Sequence, residues 1–361
     1  METTISRPLP AGQPDGLREP AAGPETEYEL DEMISRPTPG ALEALGRLEG
    51  DFLLLGASGK MGPSLARMIR RGLDEIGRTA RVTAVARFSN PNAESGLHAA
   101  GVQTIRADLL DSGAYAGLPY AENVFFMAGQ KFGTSKHPEL AWAMNTIVPA
   151  YVAERYKASR LLAFSTGCVY ANAAVDSGGS VETDDLEPLG DYANSCVGRE
   201  RVFSWFAHKH RTPLSLFRLS YSIDLRYGVL VDVAQRVFSG APVDVTMGYA
   251  NVIWQGDANA RAIQTLERAA VPPFVLNVTG DGTISIREVA VRFGRLFGRE
   301  PEFAGKEAPE ALLSNAGRSL ALFGKPGVSV DDMIGWIAAW LLRGGRTLNK
   351  PTGFERFDGK F

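Results

Sequence analysis

The chain has 361 residues, 38 Lys+Arg against 41 Asp+Glu for a net charge of −3, 45% apolar residues, four histidines and two cysteines. A near-neutral chain without a long basic run lacks the footprint that binding a phosphate backbone requires, which argues against nucleic acid as a partner. Cys168 and Cys196 cannot make a disulfide framework, and no zinc-ligand spacing is present, so no metal site is expected. The most apolar stretch, residues 336–342, falls far short of the roughly 20 residues of a bilayer span, and no signal-type apolar core opens the chain; a soluble cytoplasmic protein is expected.

Residues 1–27 hold five prolines and only isolated large apolar side chains, a composition that cannot offset its own ordering entropy, and read as a flexible tail. A helical pattern broken by Pro37 and Pro39 leads into the compact apolar run Asp51-Phe52-Leu53-Leu54-Leu55, which ends in Gly56 and reads as a buried strand. Further strand-like runs lie at 82–86, 102–105, 123–127, 161–164, 214–219 and 274–278. Most are separated by helical periodicity, as with Met61, Leu65, Ile69 and Leu73. Alternating strands and helices predict right-handed crossovers and an α/β fold, a doubly wound parallel sheet of Rossmann type covered on both faces. Residues 28–220 read as the nucleotide-binding domain. Residues 221–361 read as a smaller C-terminal substrate lobe, with about 251–280 returning to the sheet.

The first strand runs into Gly56-Ala57-Ser58-Gly59-Lys60-Met61-Gly62 and a helix that carries Pro63 in its first turn. Glycines permit the tight turn and close approach, and the helix N-terminus offers free N–H groups to a pyrophosphate. In such folds an acid at the tip of the second strand suits the ribose of NAD, and an arginine suits the extra phosphate of NADP. Here the tip is Ala86-Arg87-Phe88. Arg87 supplies a fork for phosphate and Lys60 a second charge, so NADP is expected, with NAD as the alternative.

Beyond this loop the chain resembles the extended short-chain dehydrogenase/reductases, the NAD-dependent epimerase/dehydratase family, over about residues 50–345. The resemblance rests on ordered landmarks: Ala107-Asp108-Leu109 near the adenine, Met127-Ala128-Gly129 under the cofactor, Asn145 in the next helix, and Phe164-Ser165-Thr166-Gly167-Cys168-Val169-Tyr170. Asp191-Tyr192-Ala193-Asn194-Ser195-Cys196 follows at the Tyr-x-x-x-Lys position. Phe217-Arg218-Leu219, Trp254-Gln255-Gly256-Asp257 and Leu276-Asn277-Val278 resemble later landmarks. The resemblance implies hydride transfer by the nicotinamide. It places Tyr192 as the acid/base and Thr166 on the same substrate oxygen. It also implies a sugar-like alcohol or ketone as substrate and a homodimer through the helices carrying Asn145 and Tyr192.

The chain departs from the family at Cys196, which replaces the motif's lysine on the same helix face as Tyr192. A tyrosine ordinarily titrates near 10, and a cation about 4 Å away at an effective dielectric of about 20 favours tyrosinate by roughly 4 kcal/mol. A neutral thiol supplies none of this. Arg199, seven residues on and roughly 10 Å along the helix axis, reads as too far to substitute. Lys131, in the loop after the fourth strand, is the better-placed cation. Gly167-Cys168 stands where sugar-nucleotide dehydratases of the family carry Asp-Glu, which disfavours their elimination chemistry. Tyr221 and Ala250 occupy places where an asparagine and an arginine hold a substrate diphosphate, which puts a nucleotide sugar in doubt. Arg226 is a candidate for an anionic substrate or a plain surface charge. The thiols read as a redox-sensitive pair or as small apolar residues. Two other functions stay open: a catalytically weak NAD(P)-binding regulator, and a lyase using transient oxidation.

Overall fold

The computed structural model describes residues 22–89, 91–131, 133 and 136–359. Seven strands form one sheet: β1 (Phe52–Leu55), β2 (Val82–Ala86), β3 (Gln103–Arg106), β4 (Asn123–Phe126), β5 (Arg160–Thr166), β6 (Leu214–Leu219) and β7 (Phe274–Val278). They lie in the order β3-β2-β1-β4-β5-β6-β7, and every neighbouring pair is parallel. β1, β2 and β4 are buried at every position, as strands covered by helices on both faces must be, whereas β3, at the sheet edge, exposes Gln103 and Arg106. The chain reverses direction across the sheet between β1 and β4. That crevice, at the C-terminal ends of the strands, is where open α/β sheets receive ligands.

The chain begins with two helices, α1 (Glu27–Ile34) and α2 (Pro39–Arg47), which flank the break at Pro37. One face of the sheet is covered by α2, α3 (Gly62–Glu75) and, later, α9 (Gln255–Leu266). α3 presents Leu65, Met68, Ile69 and Leu73, spaced to form one helical stripe. After α4 (Pro91–Ala99), the opposite face is covered by α6 (Val148–Arg155) and α7 (Gly190–His210), with α5 (Pro138–Trp142) packed against α7. α5 and α6 are joined by one π-helical turn, Ala143–Ile147, that contains Asn145. The smaller lobe packs α8 (Val229–Ser239), α10 (Ile286–Phe297) and α12 (Val330–Leu342) around a second core, with α11 (Gly317–Phe323) between them in sequence.

Residues 1–21 of the segment expected to be a tail lie outside the described residues. From Ala22 the chain is held against the smaller lobe: Arg343 donates to the Pro24 carbonyl at 3.1 Å, and Leu30 and Ile34 of α1 are buried in that lobe's core. Arg226 belongs to the same junction. Its guanidinium pairs with Asp224 at 2.9 Å and Asp31 at 2.9 Å, so the cation considered for an anionic substrate is already neutralised in a structural network.

A second buried network ties α7 to the sheet. Arg218 of β6 meets both carboxylate oxygens of Glu200, Nε to Oε1 at 2.9 Å and Nη2 to Oε2 at 2.7 Å, and Ser165 donates to the same carboxylate at 2.6 Å. Tyr170 accepts from Arg218 and donates to Asn277, so three of the expected landmarks, Arg218, Tyr170 and Asn277, are structural. Removing one partner strands a buried charge. Arg218→Met is therefore expected to cost about 3–5 kcal/mol in urea denaturation, with Glu200→Gln/Arg218→Met costing less than the single change.

Candidate functional site

The loop from β1 to α3 is built for close approach. Gly56 has φ +86°, and a Cβ there would stand 2.5 Å from the backbone nitrogen of Ala128; a Cβ on Gly62 would stand 2.2 Å from the carbonyl oxygen of Ala57. A Cβ on Gly59 would meet only the Gly56 carbonyl oxygen at 3.7 Å, so this glycine and Ser58 keep an exposed backbone. No side chain caps the N-terminus of α3. Its first N–H groups are oriented to take an anion, which is the fit a dinucleotide pyrophosphate requires. Asp108 is exposed at the end of β3, its carboxylate accepting from Leu110 N at 3.0 Å, and Leu109 beside it is buried. Arg87 is exposed at the tip of β2.

A cavity of about 310 Å³ opens beside this loop, lined by Gly56, Gly59, Lys60, Met61 and Gly62 together with Met127, Lys131, Thr166, Cys168 and Tyr192. Residues from four separate stretches thus face one space. Thr166 ends β5, and its hydroxyl accepts from Cys168 N at 3.1 Å. Tyr192 sits in the first turn of α7 and Cys196 one turn further on, fully buried. Lys131 reaches in from the loop after β4: its ammonium lies 5.8 Å from the Tyr192 ring centre and donates to the Thr352 carbonyl at 3.2 Å.

Asn145 does not line the cavity; it positions the residues that do. Its side chain is buried, accepts from Gln130 N at 3.3 Å and from Arg199, and donates to Ser195 Oγ at 2.8 Å. Ala128 is buried against Gly56, and a Cβ on Gly129 would stand 2.5 Å from the Arg199 guanidinium, so a side chain there would have to displace the end of Arg199. Arg199 also donates to the Phe164 carbonyl at 2.7 Å. Its long side chain leans toward the helix N-terminus, and its charge acts on Tyr192 without a direct contact between them among those described.

Lys60 departs from its expected place as a second charge beside Arg87. Its ammonium donates to the Ser222 carbonyl at 2.6 Å and lies 4.4 Å from the centre of the Tyr227 ring. Ser222, Tyr227, Leu312 and Thr352 line the cavity too, and sequence reading did not single them out. They lie in segments with no motif of their own; long-range packing alone brings them here.

Burial sets the protonation states. It raises the Tyr192 hydroxyl well above its ordinary range, the neighbouring thiols of Cys196 and Cys168 add to this, and the Arg199 charge opposes it. Burial also raises Cys196, and it raises Tyr221 and Tyr227. It lowers Lys131, against the pull of Cys168, Cys196 and Asp232, and lowers Lys60 to about 7. At neutral pH the tyrosines are therefore proton donors.

Residues 52–222 match the model of the NAD dependent epimerase/dehydratase family. Among solved structures, the chain is similar to the UDP-glucose 4-epimerase of Thermotoga maritima with UDP-glucose, at 17% identity and a TM-score of 0.68, over 81% of this chain and 99% of that one. It is also similar to the UDP-glucuronic acid 4-epimerase of Bacillus cereus in complex with NAD, at 16% identity and 0.66, with the same coverage. The Bordetella bronchiseptica enzyme WbmG in complex with NAD aligns at 18% identity and 0.67, over 84% and 98%. At these identities the likeness is one of fold. No curated protein matches the sequence. Among the described residues no helix is long and apolar enough to cross a membrane, and no group of three His, Cys, Asp or Glu side chains is placed to hold a metal.

Lys60 has a stability signature of its own. Its folded value of about 7 lies below the ordinary 10.5, so between the two the unfolded chain holds the extra proton and stability rises with pH. Lys60→Met removes that term. The wild type is expected to gain stability relative to Lys60→Met as urea titrations move from pH ~7 to ~10, and a constant difference would show that the amine is not desolvated.

Proposed function

We propose that the chain is an NAD(P)-dependent oxidoreductase or epimerase acting on a sugar-like alcohol or ketone. The observation that carries this reading is the convergence of Thr166, Tyr192 and Lys131 on one cavity that also borders the glycine loop. When bound, the nicotinamide supplies or accepts hydride. Gly56, Ser58, Gly59, Met61 and Gly62 would hold the pyrophosphate, Asp108 and Leu109 the adenine side, and Met127, Ala128 and Gly129 the floor of the cleft. Tyr192 donates its hydroxyl proton to the reacting oxygen, and Thr166 holds that oxygen by a second hydrogen bond.

The cation of the missing lysine is shared between two residues in this reading. Lys131 faces Tyr192 across the cavity, and the buried Arg199 lowers the cost of tyrosinate from behind. Cys196 then acts as a small neutral filler beside the tyrosine. Because the hydroxyl is held protonated, reduction of a ketone is favoured over oxidation of an alcohol. With NADPH and a panel of small hydroxy-ketones, Tyr192→Phe is expected to lower kcat by roughly 10²–10⁴ with NADPH binding unchanged. Lys131→Met is expected to lower kcat less. Unchanged turnover in Tyr192→Phe would remove the assigned role.

For the cofactor, this reading takes NADP ahead of NAD. The tip of β2 carries Arg87 and no acid, and Lys60 faces the cavity, which leaves Arg87 to meet the ribose phosphate. Fluorescence titration is expected to show NADPH binding tighter than NADH, with Arg87→Ala weakening NADPH by ~10-fold or more and NADH little. Tighter NADH binding by the wild type would reverse the assignment.

A further inference from the structure

The segment 347–359 has no regular secondary structure, yet it is bolted across the cleft. Thr352 donates through N at 2.7 Å and Oγ1 at 2.6 Å to the carboxylate of Asp232 on α8. Leu348 N donates to the Arg226 carbonyl at 2.9 Å, and Gln235 donates to Thr347 at 3.0 Å. Phe354 is buried in the core of the smaller lobe, and Phe357 packs against Met247, Ala311 and Leu313. At its far end the segment touches the start of the helix that carries Tyr192: a Cβ on Gly190 would stand 2.4 Å from the Gly359 carbonyl oxygen, and one on Gly359 would stand 2.2 Å from that of Leu189.

The consequence lies on the far side of Cys168 and Tyr221. There the space narrows to about 40 Å³, walled by Phe354, Phe357, Leu189 and Met247, which leaves room for a few waters. The near cavity of about 310 Å³ is at the low end for a small-molecule site. Its lysines, Lys60 and Lys131, each donate to a backbone carbonyl, and no arginine lines it. Arg226, the nearest candidate fork from the sequence, is paired to Asp224 and Asp31. A diphosphate entering from this side would find no space, and the one guanidinium among the described residues that line the narrow part, Arg356, belongs to the segment that fills it.

We infer that the strap 347–359 is the specificity element of the site: it fills the part of the cleft beyond Cys168, so the substrate is a small free polyol or hydroxy-ketone and not one carried on a nucleoside diphosphate. This rests on the oxidoreductase reading above and narrows its substrate class. The strap does so by steric filling from Phe354 and Phe357 and by fixing Thr352 over the near cavity.

The test is a titration of the NADPH-loaded protein with UDP-glucose, read by saturation transfer to the uridine protons, on the full chain and on a chain ending at Asn349. The full chain is expected to give no uridine signal, and the shortened chain to bind UDP-glucose at least ~10-fold more tightly while still binding NADPH. A uridine signal from the full chain overturns the inference, as does a shortened chain that binds NADPH without gaining UDP-glucose. Should the shortened chain fail to fold, Asp232→Ala/Phe357→Ala, which releases the latch and one plug, takes its place with the same two outcomes. NADPH binding and Tyr192-dependent turnover are separate readouts. Their loss would fail the oxidoreductase reading and leave the exclusion of the nucleotide measurable.

Discussion

The contact between the Arg199 guanidinium and the Asn145 amide holds the site together. Arg199 brings α7, and with it Tyr192 and Cys196. Its other bond, to the Phe164 carbonyl, reaches the end of β5 two residues before Thr166. Asn145 grips Gln130, the residue before Lys131, through both its backbone N–H and its carbonyl. Each of the three elements that brings Thr166, Tyr192 or Lys131 to the cavity is therefore one hydrogen bond from this pair. The π-helical turn at Ala143–Ile147 belongs to the same arrangement, because it interrupts the regular helix where Asn145 must turn inward.

The pair also has an electrostatic consequence. Arg199 donates to a carbonyl and an amide oxygen and faces the Phe126 ring, so a buried positive charge acts on Tyr192 and Cys196 with no carboxylate paired to it among the described residues. Its field favours the anionic forms of both, while burial disfavours them, and burial prevails. A protonated tyrosine beside a protonated thiol is the resting state that follows. The cations that act on the tyrosine lie behind the helix, at Arg199, and in the β4 loop, at Lys131.

How far the sequence foretold this follows from the range of the interactions involved. The seven strands fall within a residue or two of the apolar runs that announce them, and Gly56 and Gly62 are glycines for the reason their spacing suggested, since both are local consequences of strand and turn chemistry. Lys131 was legible because the loop after β4 must border the crevice. The surroundings of Arg199, Lys60 and Arg226 were not legible, for one shared reason. A long cation is placed by its partners, and those partners lie far off in sequence: Phe164 for Arg199, Ser222 for Lys60, Asp31 for Arg226. The strap was invisible for the same reason. Nothing in Thr352 or Phe357 marks a site until Asp232 and Met247 are beside them.

The strap and the displaced lysine are physically one adaptation. A lysine on α7 would be aimed by the helix itself, whereas Lys131 sits in a loop and has about 2 kcal/mol of rotamer entropy to lose before it can face Tyr192. What holds it is the Thr352 carbonyl, and what holds Thr352 is the Asp232 carboxylate through two hydrogen bonds. The strap thus supplies one of the contacts that place the ammonium. On the proposed function, a molecule that displaced the strap would also remove that contact from the cation facing Tyr192. A large substrate would then be disfavoured twice, once by volume and once by chemistry.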